Sequence, residues 1–132
     1  MHCGVLMKNK IIHTENAPAA IGPYSQGIIA NGFIYTSGQI PIDPISSKLV
    51  SGSFKDEVLR VLKNIEAILK EGGSSKNNLI KLTVFVTDLK LFSELNEVFI
   101  NYFPDHQPAR SAVEVSALPL GARVEIEAVA TV

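Results

Sequence analysis

The chain has 132 residues, with 12 basic and 13 acidic side chains for a net charge of -1, and 46% of its residues are hydrophobic against 19% charged. That is the length of one domain, and it lacks the basic stripe that phosphate-driven nucleic-acid binding demands. No apolar run approaches the roughly 20 residues of a membrane span and no signal-peptide zones open the chain, so a cytoplasmic protein is expected.

Cys3 is the single cysteine, and His2, His13 and His106 are widely separated. An internal disulfide and a cysteine-based zinc site are therefore excluded, and no metal or cofactor is expected. Met7 opens MKNKII and reads as a natural start, which leaves residues 1–6 (MHCGVL) as an extension of a single domain spanning 1–132. The hydrophobic share is high for so small a chain, whose surface must still be wetted, and some of it is expected to meet another subunit.

The first elements lie between Tyr24 and Ile40, where β-branched and aromatic residues flank Asn31-Gly32, the dipeptide of a two-residue hairpin turn. That turn sets Gln26 opposite Ser37 and Tyr24 opposite Gln39, so these four share one polar face. Residues 54–71 carry Val58, Val61, Leu62, Ile65, Ile68 and Leu69 at helical spacing, opened by Ser53 with Asp56 and closed by Gly72-Gly73. A strand follows over 79–86 (LIKLTVFV). Asp88 then caps a second helix with Phe92, Leu95, Phe99 and Tyr102 on one stripe, and Pro104 marks its end.

After Pro108 come two strands, RSAVEV and RVEIEAVATV, joined by a Leu-Pro-Leu-Gly turn. The order predicts an α+β fold, a mixed sheet with two helices packed on one face. Strands 79–86 and 124–132 carry apolar residues at both parities, so the uncovered face is expected to pack against other copies.

Single residues have plain readings. Arg110 suits a surface or salt-bridging role, and Glu125 and Glu127 a solvated strand face. Ser37 and Gly38 suit a strand end, Tyr24 a packed ring with a wet hydroxyl, and Asn96 a polar flank of the second helix. In combination, the stretches TENAPAAIGPYSQG, TSGQIP, TVFVTDL, PARSAVEV and VEIEA stand in one order over nearly the whole chain. That pattern resembles the reactive intermediate deaminase family (RidA, formerly YjgF, also called L-PSP endoribonuclease-like).

The resemblance implies a chorismate-mutase-like fold, a homotrimer with active sites between subunits, and hydrolysis of 2-iminopropanoate and 2-iminobutanoate to 2-keto acids and ammonia. Carried onto this chain, the family's arginine falls on Arg110, its strand glutamate on Glu125, its tyrosine on Tyr24, its serine and glycine on Ser37 and Gly38, and its helix asparagine on Asn96. The chain departs from the family at Ala112, where many members have cysteine, and at Gln107, where an aromatic is common. The first excludes thiol chemistry at that position, and the second bears on selectivity near Arg110.

A small imino acid needs its carboxylate fixed and a water held at its imine carbon. Arg110 is assigned the first task and Glu125 the second. Tyr24, Ser37, Gly38 and Asn96 close the pocket, with Tyr24 supplied by a neighbouring subunit as one option. Two alternatives stand beside the enzyme: a ribonuclease that inhibits translation, and a non-catalytic ligand-binding or chaperone-like trimer.

Overall fold

Burial in the C-terminal strand shows which side of the sheet is dry. Over Val124–Thr131 the even positions Val124, Ile126, Ala128 and Ala130 are buried, while Glu125, Glu127 and Val129 face the other way. This period of two belongs to a strand with one covered face. The computed structural model describes residues 8–132, so the extension expected over residues 1–6 lies outside the described residues.

Six strands occur among them: β1 (Lys10–Ile12), β2 (Gly27–Ala30), β3 (Phe33–Thr36), β4 (Leu79–Val86), β5 (Ala109–Glu114) and β6 (Val124–Thr131). They form one mixed sheet in the order β1-β2-β3-β6-β4-β5, in which only the β4 and β5 pair is parallel. Two helices, α1 (Phe54–Glu71) and α2 (Phe92–Tyr102), complete the α+β domain. A parallel pair cannot be joined by a tight turn, and α2 lies in the crossover between β4 and β5.

The hairpin has the expected register, with Gly27 opposite Thr36 and Ala30 opposite Phe33. Asn31 and Gly32 take φ values of 50° and 81°, the left-handed pair that this turn requires. Helix α1 has the expected bounds and a complete capping box between Ser53 and Asp56. Its stripe from Val58 to Leu69 packs with Ile34, Leu82, Val84, Ile126 and Ala130 into the main core, which Leu95 and Phe99 of α2 extend. Both helices thus cover the same face. Among the described residues no helix is long and apolar enough to cross a membrane.

Three expectations are corrected. Strand β1 was not anticipated, because three residues are too few to show a period. Asp88 caps a short 3-10 turn (Leu89–Leu91) that leads into α2, whose own N-cap is Leu91. The uncovered face is less apolar than the sequence suggests. Tyr35, Phe85, Val113 and Val129 share it with Lys81, Glu125 and Glu127, because the apolar residues of β6 fall almost wholly on its covered parity.

Candidate active site

Past Thr36, the β3 chain continues alongside β6 with its register slipped by one residue. Tyr35 pairs with Val129, but Gln39 pairs with Ile126 through two backbone bonds of 2.8 and 3.0 Å. The extra residue makes a bulge at Ser37-Gly38, and the Ala128 N–H donates instead to the Thr36 hydroxyl at 3.0 Å. Bulges re-aim side chains and often stand beside functional sites. This one brings Gly38 against the Glu125 side chain. A Cβ built on Gly38 would stand 2.9 Å from the Glu125 carboxyl carbon, so this approach needs glycine.

A cleft of about 360 Å³ opens here, lined by Tyr24, Ser37, Gly38, Gln39 and Glu125 on its polar side and by Ile21, Ile40, Ile42 and Pro119 on its apolar side. Burial holds the Glu125 carboxyl above the usual carboxylate range, and the Glu127 charge raises it further. The Ser37 hydroxyl donates to the Ser25 carbonyl. The Ile21 N–H donates to the Tyr24 hydroxyl at 3.4 Å, which ties the tyrosine to the rim of the cleft.

The polar face expected of the hairpin is half correct. Ser37 N–H bonds the Gln26 carbonyl at 2.9 Å, as the register requires, but the ladder stops there and Gln39 turns to Ile126. Tyr24 therefore does not face Gln39 across a ladder. Gln26 is buried outside the cleft, where its amide accepts from Thr14 N–H at 2.7 Å and donates to the Thr14 and Pro18 carbonyls at 3.0 and 2.8 Å. It pins the 14–18 segment that carries Pro18 to the cleft. Tyr24 and Glu125 of one chain line the same cleft.

Arg110 is elsewhere. Its strand partner is Leu82, on the helix-covered side, whereas Glu125 lies opposite Phe85 on the open side. The guanidinium passes over α2, with centroid distances of 5.1 Å to Phe99 and 5.8 Å to Phe92, and donates to Asn96 Oδ1 at 2.9 Å. Residues 92, 96 and 99 are one helical stripe. It flanks the guanidinium in a second pocket of about 250 Å³, which Asn96, Gln107 and Pro108 line with Arg110. Gln107 ties itself to the Phe103 carbonyl at 3.0 Å, and Ala112 packs against the core on the same side as Arg110.

The six expected residues thus fall into two groups within one chain: Tyr24, Ser37, Gly38 and Glu125 in the cleft, and Arg110 with Asn96 beside α2. Sequence reading missed the apolar wall of the cleft and the aromatic support of Arg110. The 92, 96, 99 spacing was visible but served equally well as a core stripe. Among the described residues no three histidine, cysteine or acidic side chains group as metal ligands do.

Comparison with known proteins agrees with this architecture. Residues 14–132 match the family model described as Endoribonuclease L-PSP. The chain is 49% identical over 121 residues to the 2-iminobutanoate/2-iminopropanoate deaminase of Mus musculus, covering 92% of this chain and 90% of that one. A Rid-family protein of Yersinia pestis superposes with a TM-score of 0.92 at 48% identity, covering 95% of this chain and all of the other. RidA from an Antarctic Psychrobacter gives 0.90 at 43% identity, with 93% and 99% covered. On its motifs, its fold and these likenesses, the chain belongs to the RidA/YjgF/L-PSP family.

Proposed function

We propose that this protein is a 2-iminobutanoate/2-iminopropanoate deaminase, hydrolysing small 2-imino acids to 2-keto acids and ammonia. The observation that carries the reading is the Arg110 guanidinium, held over two aromatic rings and bonded to an amide, with no carboxylate bridged to it among the described residues. A planar fork with open donors suits a planar carboxylate, which it binds by two parallel charge-assisted bonds. The likeness to the mouse deaminase supports the same reading.

The chemistry needs little activation. Glu125 orients a water and takes its proton as the water oxygen bonds to the imine carbon, while the imine nitrogen takes up a proton from solvent. In the resulting amino alcohol Glu125 gives the proton it took to the amino nitrogen, the hydroxyl proton passes to solvent as the C=O bond forms, and the C–N bond breaks. Ammonia departs and the 2-keto acid remains. Ser37, the Gly38 backbone and Tyr24 hydrogen-bond the substrate, and Asn96 steadies the arginine. A thousandfold acceleration requires about 4 kcal/mol, within the reach of orientation and one general base.

The reading includes a homotrimer. One chain keeps Arg110 and Glu125 on opposite sides of the sheet, so a second copy must bring its arginine pocket to the cleft. The open face, with Tyr35, Phe85 and Val113 on it, supplies apolar surface for such contacts. The endoribonuclease reading has the family description behind it, but His106 is engaged with the Leu79 carbonyl at 3.3 Å and no basic stripe accompanies it.

The test is a dehydratase that releases 2-iminopropanoate from serine, with keto-acid formation followed. The protein is expected to accelerate hydrolysis. Arg110→Lys keeps the charge and loses the fork, so its rate should fall by about tenfold or more. A wild-type rate in Arg110→Lys sinks the proposed role of the arginine.

A further inference from the structure

Asn64 is fully buried in α1, on a stretch where Val61, Leu62, Ile65 and Ile68 supply the core. A buried amide is tolerated where its groups are bonded, and the partners show what it holds. Its Nδ2 donates to the Ile42 carbonyl at 2.9 Å and the Ile40 carbonyl at 3.4 Å, and its Oδ1 accepts from Arg60 Nε at 3.1 Å. The side chains of Ile40 and Ile42 line the cleft that contains Glu125 and Gly38. With Ala122, Leu49 and Leu118 behind them they form a small second core, separate from the main one.

The other backbone restraints on this wall come from the strand layer and from the wall itself. Beyond Asn64 its backbone is tied by the Gln39 and Ile126 pair, by the bridge between Ile42 and Leu49, and by a tight turn from Ile42 N–H to the Ile40 carbonyl at 2.7 Å. Among the described residues, Asn64 alone links it to the helix layer by side-chain hydrogen bonds.

We propose that Asn64 is a positioning residue for substrate selectivity: by holding the Ile40 and Ile42 carbonyls it fixes the apolar wall of the cleft, and the position of that wall sets the preference for 2-imino acids with short side chains over those with bulkier ones. The proposal rests on the deaminase reading and deepens it. Two branched side chains, each backed by packed neighbours, cannot withdraw while their backbone is clamped. Asn64 touches no substrate. It acts through the wall.

The experiment compares kcat/KM for 2-iminopropanoate and for the leucine-derived imine, released by an amino-acid oxidase, in wild type, Asn64→Leu and Ile42→Ala. Asn64→Leu keeps the branched shape and heavy-atom count and removes both donors, with Asn64→Ser as the alternative if it does not fold. Both the Asn64 and Ile42 variants should shift the ratio toward the bulky imine by about tenfold, the lower end of what an added methylene commands in an apolar pocket. A merely structural asparagine would lower both rates in parallel and leave the ratio unchanged, which overturns the proposal. An unchanged ratio in Ile42→Ala overturns it equally. The same ratio is read from binding of the unreactive 2-keto acids, so a wild type that binds them selectively but hydrolyses neither imine refutes the deaminase reading and leaves the wall measurable.

Discussion

At Gly38 the chain gives up a side chain so that the Glu125 carboxylate can lie against backbone. That approach shields the carboxylate in part from water, and this burial is the main reason its proton affinity rises, with Glu127 adding like-charge repulsion. Both shifts favour the protonated form, so a reaction that needs the Glu125 carboxylate gains rate as pH rises through a value above the ordinary carboxylate range. Glu125→Gln cannot accept the water's proton and should lose about a hundredfold or more of turnover. Glu127→Gln should stay active. Removing its negative charge makes Glu125 easier to deprotonate, so the acid limb of its kcat/KM profile should move to lower pH. Parallel pH-rate profiles of the two variants check this, and an equal loss in both would show that the carboxylates serve only the strand face.

Helix α2 supports Arg110 of β5 without touching the cleft that contains Glu125. Its Phe92, Asn96 and Phe99 stripe supports Arg110, and Phe92 is only half-buried, so Phe92→Leu should keep the fold while loosening the fork. A cation over an exposed ring contributes about 0.5 to 1 kcal/mol, which predicts roughly a two- to fivefold weaker affinity for pyruvate with a nearly unchanged melting temperature. Titration calorimetry on the two proteins decides it, and unchanged affinity would mean that Asn96 alone places the arginine. Elements of this kind were legible in sequence wherever one rule covered many residues. The capping box and stripe of α1 and the Asn31-Gly32 hairpin are repeated local signals. What stayed hidden depended on a neighbour far along the chain. The bulge at Ser37-Gly38 exists only relative to β6, Gln26 looked like a face residue until the 14–18 segment folded over it, and Asn64 reads as a polar interruption until the Ile40 and Ile42 carbonyls reach it. The resemblance named the motif residues, yet it did not show that one chain holds them in two places.

For the whole molecule that separation is the ground for the proposed second copy at the site. Arg110 lies opposite Leu82 and Glu125 opposite Phe85, so no side-chain rotation brings the fork to the carboxylate through an intact sheet. If the site forms between copies, each cleft draws Glu125 from one subunit and Arg110 from its neighbour, and two inactive proteins should repair each other. Arg110→Ala supplies intact clefts, and Glu125→Gln supplies intact arginine pockets. Unfolded together and refolded in equal amounts, they assemble at random, and roughly a quarter of the interfaces pair a good cleft with a good arginine. Imine hydrolysis should then recover to about a quarter of wild type, while each variant refolded alone stays inactive and light scattering reports the same trimer in all samples. Recovery requires that the two residues come from different chains, because subunit exchange cannot repair a site built within one. A mixed trimer without activity, or a wild-type protein that sediments as a stable monomer, would overturn the shared site.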